Sequence, residues 1–206
     1  MNADTARRAG LLDKLARIVR QCTDCPLHEG RMNAVPGEGP ADAELMLVGE
    51  GPGRVEDETG RPFVGPAGQL LEELLASIDL TRDRVFIGNV VKCRPPGNRA
   101  PLPDERKACS KYLGKQIEII RPKVLAPLGA SALSMFAHDL ASIGRMHGQV
   151  MVKKHYLLVP MYHPAAALHN PSLRDTLFRD MSAIMAALRQ AGGQGGAAGS
   201  PSEPGG

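Results

Sequence analysis

An unbroken apolar run that ends in alternating glycines, Leu45-Met46-Leu47-Val48 into Gly49-Glu50-Gly51-Pro52-Gly53, constrains this chain more than any other stretch. Such a run reads as a buried strand closing in a tight loop, where missing side chains let a ligand approach the backbone. Leu70, Leu71, Leu74, Leu75 and Ile78 next form one apolar helical face, and Val85 to Val91 a second buried strand. Strand, helix and strand in that order assemble as a right-handed parallel unit, which places the chain in the α/β class. Open sheets of this class bind ligands at the carboxyl ends of their strands, so the glycine loop marks a site.

Phe63 stands in the Pro- and Gly-rich stretch Gly60-Arg61-Pro62-Phe63-Val64-Gly65 and not in a core pattern. With four Phe, three Tyr and no Trp in 206 residues, an aromatic ring there is expected to act as a stacking platform. The glycine loop lacks the Gly-Lys-Ser/Thr of a phosphate loop and the G-x-G-x-x-G of a dinucleotide fold. Nucleotide hydrolysis and hydride transfer are therefore disfavoured.

Length and a 43% hydrophobic content suit a single core, with one domain expected over residues 1 to 191. Residues 192 to 206, seven of them Gly and two Pro, are expected to form a disordered tail. The first twenty residues have no signal-peptide or membrane-span run, so a cytoplasmic monomer that uses no membrane is expected. A helix capped by Asp4 or Thr5 leads to Cys22, and further helices are expected near 104 to 120, 130 to 137 and after a Ser172-Asp175 cap. A third strand is expected at Lys123 to Leu128, and a hairpin at Gln149 to Val159 turning near Lys153-Lys154. The loop Met161-Tyr162-His163-Pro164 follows that hairpin.

Cys22 and Cys25 form a C-x2-C pair, Cys93 follows after 67 residues and Cys109 after 15 more. All four sit beside loops or helix ends, and none is left over. They are therefore expected to share one metal centre. Zinc and a 4Fe-4S cluster both accept four thiolates, and spacing does not separate them. From Lys92 to Lys115 the chain carries seven Lys or Arg against two acidic residues, a local charge of 7 − 2 = +5 that exceeds the whole-chain +3. A surface that tracks nucleic-acid phosphates is expected there.

The glycine loop, the Phe63 loop, Asn89-Val90-Val91-Lys92-Cys93-Arg94-Pro95-Pro96, Tyr162-His163-Pro164 and the four cysteines together resemble the iron-sulfur, or type 4, uracil-DNA glycosylases. The resemblance runs from about Cys22 to Ile184. It implies a three-layer α/β/α sandwich with a central, mainly parallel sheet, and a 4Fe-4S cluster on Cys22, Cys25, Cys93 and Cys109. The implied reaction is hydrolysis of the N-glycosidic bond of deoxyuridine in DNA, with free uracil as product. Uracil would rest against the backbone of Gly49, Glu50 and Gly51 and stack on Phe63, with Asn89 reading the base and His163 contacting the departing uracil.

Side-chain chemistry agrees with these roles. An Asn amide offers a donor and an acceptor side by side, matching uracil O4 and N3–H, whereas cytosine presents the opposite order. Departing uracil carries negative charge, which aimed donors stabilise as in an oxyanion hole. The type 1 relatives carry an Asp where this chain has Gly51, which leaves Glu50 as the nearest acidic group to orient water and Glu56 as a weaker one. Glu50 is alternatively expected to hold the loop by hydrogen bonds. Gly88, in place of a usual Thr, is expected to loosen the strand end, and His169, in place of a usual Arg, to weaken a phosphate contact. A relative that traps uracil-DNA covalently has an inserted Lys-Arg-Arg-Ile-His segment. This chain has Arg94-Pro95-Pro96-Gly97-Asn98-Arg99 instead, so turnover is expected, with Asn98 supporting the site. His147 is expected in a loop that touches DNA or solvent, and Leu168 in the core in preference to a wedge role. A second reading is a non-catalytic nucleic-acid-binding module with a structural metal.

Overall fold

The computed structural model describes residues 2–137 and 142–193. Helix α1 (Ala3–Gln21) comes first, and strand β1 (Leu45–Gly49) carries the opening apolar run. Short α2 (Arg54–Thr59) and α3 (Pro66–Ala76) lead to β2 (Phe86–Asn89), then α4 (Pro103–Ile120), β3 (Val124–Pro127) and α5 (Ala130–Leu133). After α6 (Ile143–Met146), the pair β4 (Met151–Val152) and β5 (Leu157–Leu158) precedes α7 (Pro164–His169) and α8 (Arg174–Gly193). The sheet order is β2-β1-β3-β5-β4, with β4 alone antiparallel.

Period-2 alternation along β1 decides the layers. Leu45 and Leu47 pack with Leu71, Leu74, Leu75, Leu177, Met181 and Ile184, so α3 and α8 cover one face. Met46 and Val48 pack with Val19, Tyr112, Leu113 and Ile120, so α1 and α4 cover the other. The result is the expected three-layer α/β/α sandwich with a mainly parallel sheet.

Local details depart from expectation in instructive ways. Asn2, and not Asp4 or Thr5, caps α1 by accepting the Thr5 N–H at 2.8 Å. The start of α8 is set by Asn170, whose side chain accepts from Ser172 N in the turn Pro171–Leu173. The second strand is shorter than the apolar run Val85 to Val91, because Val90 and Val91 turn to donate their N–H groups to the Gly49 and Glu50 carbonyls. The expected hairpin forms, closed by Lys153 N to Tyr156 O at 3.0 Å. Helix α8 continues through Gly192 and Gly193, two residues into the expected tail, and the rest of that tail lies outside the described residues. Among the described residues no helix is long and apolar enough to cross a membrane.

Candidate active site and cysteine centre

Parallel pairing puts Gly49 beside Asn89 in register, so the carboxyl ends of β1 and β2 open at the same level. There a cavity of about 570 Å³ is lined by Glu50, Gly51, Phe63, Asn89, Asn98 and His163, among others. That volume suits one small ligand. Its geometry depends on glycine. A Cβ on Gly49 would lie 2.4 Å from Asn89 Oδ1 and 2.7 Å from the Phe63 ring, closer than any side chain tolerates. At Gly51 a Cβ would meet Val91 Cγ2 at 2.8 Å, so an Asp there would require the Val91 side chain to shift.

Asn89 is buried, and among the described residues its Oδ1 has no hydrogen-bond partner. An acceptor left in that state is costly unless a ligand completes it. The Phe63 and His163 rings stack with centroids 5.5 Å apart and planes 27° apart. His163 caps α7: its Nδ1 accepts the Ala165 N–H at 3.1 Å, so the proton of the neutral ring resides on Nε2. Burial lowers its pKa to about 4, against a weaker upward pull from Glu56, so the ring is neutral at pH 7.

The acidic residues divide the work differently from expectation. Glu56, not Glu50, holds the loops: its carboxylate accepts from Gly53 N at 3.1 Å, Val64 N at 2.9 Å and Gly65 N at 2.8 Å. Glu50 is half-buried at the pocket, and among the described residues no hydrogen bond or ion pair engages its carboxylate. Gly88 does not loosen β2, since the strand stays paired through Asn89. Asn98 lines the pocket at φ 55° and accepts from Arg94 Nε at 2.8 Å.

Three other expectations change. Leu168 is 48% exposed on α7, not in the core, and next to it His169 lines the pocket. His147 is not simply a solvated loop histidine: Nδ1 meets Asp180 Oδ1 at 2.9 Å and the ring lies 4.8 Å from that of Tyr162. Lys92 is 1% exposed, with Nζ donating to Asn89 O at 2.8 Å and Gln116 Oε1 at 2.7 Å. It leaves the presumed basic surface, which falls to 6 − 2 = +4, and Arg99, Lys111 and Lys115 there are paired with Glu105, Asp24 and Glu118. A pocket wall that the sequence reading missed is the loop Leu128 to Ser131. Its signal in the sequence was Gly129 at the end of the apolar run Val124 to Leu128; in the structure Gly129 has φ 87° and its Cβ position lies 3.1 Å from His163 Cβ.

All four cysteines line one smaller cavity, which shares no lining residue with the pocket. Arg31 ties it together by donating to Cys93 Sγ at 3.1 Å and to Cys22 O at 2.8 Å. Asp24, inside the C-x2-C turn, accepts from Tyr112 on α4 at 3.2 Å. Burial pushes the Cys109 thiol up to about 11, against the pull of nearby Lys92. Among the described residues no three His, Cys, Asp or Glu side chains converge as ligands of one ion. Four thiols lining one cavity, with Arg31 and Lys92 beside them to balance thiolate charge, are a donor set that either a zinc ion or a 4Fe-4S cluster accepts.

Comparison with known proteins gives the family. The uracil DNA glycosylase superfamily matches residues 36–189. The type-4 uracil-DNA glycosylase of Sulfurisphaera tokodaii is 48% identical over 182 residues, covering 84% of this chain and 83% of that protein. Those of Saccharolobus solfataricus and Thermotoga maritima are 47% and 45% identical, covering 86% and 90% of this chain and 86% and 98% of theirs. The chain belongs to the uracil DNA glycosylase superfamily and, within it, to the type-4 uracil-DNA glycosylases.

Proposed function

We propose that this chain is a monofunctional uracil-DNA glycosylase, which flips deoxyuridine out of DNA and hydrolyses its N-glycosidic bond to start base excision repair. The observation that carries the reading is the unpartnered Asn89 Oδ1, buried at a pocket sized for one base. Uracil N3–H completes that acceptor and O4 takes the adjacent amide N–H. Cytosine would meet acceptor with acceptor and leave buried groups unpaired, a mismatch that hydrogen-bonding sites reject strongly.

Phe63 stacks on the flipped base, and the pocket is too closely walled at Gly49 for a side chain to intrude. As the bond to the sugar breaks, His163 donates its Nε2 proton to the departing uracil oxygen as a hydrogen bond from a neutral ring. Backbone N–H groups of the glycine loop add to this, each such donor worth ~3 kcal/mol. Glu50, free of competing partners, orients the water that attacks the sugar. Cys22, Cys25, Cys93 and Cys109 hold a 4Fe-4S cluster, which when bound ties α1, the loop after β2 and α4 together. One chain supplies every pocket residue, so a monomer suffices, and a thiolate centre suits the reducing cytoplasm.

An oligonucleotide with a single deoxyuridine tests this. Metal-loaded protein is expected to produce abasic sites there and none at a matched deoxycytidine. Absence of abasic sites would leave the chain as the non-catalytic binding module.

A further inference from the structure

Phe63 is the only aromatic residue among those described whose backbone lies in the left-handed region, at φ 51°. Bulky residues keep that conformation only where their surroundings impose it. The imposing group stands outside the pocket, in the turn Arg82–Arg84 just ahead of β2. Arg82 Nη1 donates to the Phe63 carbonyl at 2.7 Å, Nη2 to the Pro62 carbonyl, and Nε to the Glu38 carboxylate. Its side chain is 15% exposed, so these contacts are shielded from water.

Glu38 is itself anchored to the sheet. Its N–H donates to Ile87 O at 3.0 Å, and its carbonyl accepts from Ile87 N at 2.8 Å. Its carboxylate also takes Arg61 Nε at 2.9 Å. Burial works to raise the Glu38 pKa, but the bonds from Arg61 and Arg82 outweigh it and keep the group ionised below the usual range. The chain of contacts thus references Phe63 to β2, the strand whose end carries Asn89. At the far side there is no slack: a Cβ on Gly68 would fall 1.9 Å from the Phe63 carbonyl oxygen.

We propose that Arg82 is a positioning residue for the base pocket: by holding the Pro62 and Phe63 carbonyls it keeps the Phe63 ring against Gly49 and His163, and so fixes the width of the base slot. This rests on the uracil reading of the pocket. Arg82 never touches the base. Without it Phe63 can leave the left-handed conformation, and only the fraction of molecules still in place binds. Apparent affinity falls by that fraction, while chemistry in the assembled complex is unchanged.

Single-turnover excision of deoxyuridine, with free uracil as competing inhibitor, separates the alternatives. Arg82→Gln is expected to weaken both substrate and uracil binding about tenfold, with the limiting rate within about twofold of the parent. Arg82→Lys, which can still reach one carbonyl, falls between the two. In a Phe63→Ala background the same Arg82→Gln change is expected to add nothing, because the ring it positions is gone. Glu38→Gln shifts binding in the same direction by less, and reads out the clamp should Arg82→Gln fail to fold. A lowered limiting rate at unchanged affinity, or a full tenfold penalty in the Phe63→Ala background, overturns the proposal. An inactive parent overturns the uracil reading itself, whereas an active parent with an indifferent Arg82→Gln variant overturns the clamp alone.

Discussion

The base pocket and the cysteine cavity both lie among loops, yet they are held in opposite ways. The pocket is fixed by the protein's own hydrogen bonds: Glu56 to three backbone N–H groups, Arg82 to two carbonyls, and Ala165 N–H to His163. The cysteine cavity joins three segments through a few side chains, chiefly Arg31 and Asp24. One site is a product of the fold, while the other is a place where a bound group completes the fold. Substitutions in the two should therefore separate chemistry from stability.

The largest effect is expected at the cysteines. Cys93→Ala removes the ligand between the C-x2-C loop and α4, and is expected to cost roughly 4 kcal/mol or more of stability, the range reached when a metal is lost. Thermal unfolding followed together with visible absorbance near 400 nm checks this. A cluster-free variant that stays well folded and fully active would erase the contrast between the two sites.

Next comes Asn89→Asp in the pocket. It keeps shape but replaces the amide donor, and excision of uracil is expected to fall by roughly 10²-fold or more. A protonated Asp can donate where Asn accepts, so discrimination against cytosine should narrow as well. Single-turnover rates on paired uracil and cytosine substrates measure both, and unchanged uracil kinetics would remove Asn89 from the site.

The end of β1 was legible because backbone pattern dictates it: an apolar run closed by glycine can hardly be placed elsewhere, while Asn89 follows the Gly88 of its run and His163 follows the apolar stretch Leu157 to Met161. The four cysteines were legible through number and spacing. What stayed hidden depends on side-chain direction, which composition does not carry. Lys92 counts as surface charge in a basic run, but the turn after β2 sends it inward to Gln116. Glu50 and Glu56 look alike in sequence, yet only Glu56 sits at the third position of a helix whose entry loop returns to it. Leu168 fits an apolar pattern, but α7 is six residues long and shows that side to solvent. Arg82 gave no signal, since its role is to bond carbonyls 19 and 20 positions earlier in the chain.

The smallest effect, and the finest test of a pocket fixed by the fold, is pH. An exposed histidine with a pKa near 6.5 that must be neutral to act would lose about thirtyfold in rate by pH 5. Burial holds His163 at about 4, so from pH 7 to pH 5 excision is expected to show no acid loss from this group. Stability responds in the other direction. The unfolded chain takes up the His163 proton near pH 6.5 and the folded one only near 4, so the contribution of this group is complete above 6.5 and declines as pH falls toward 4. His163→Gln should therefore flatten the loss of stability between those values while reducing excision at every pH. A titration of the His163 ring by NMR near 6.5 instead would mean that the pocket admits bulk water, and that its hydrogen-bond donor is not held neutral by the fold.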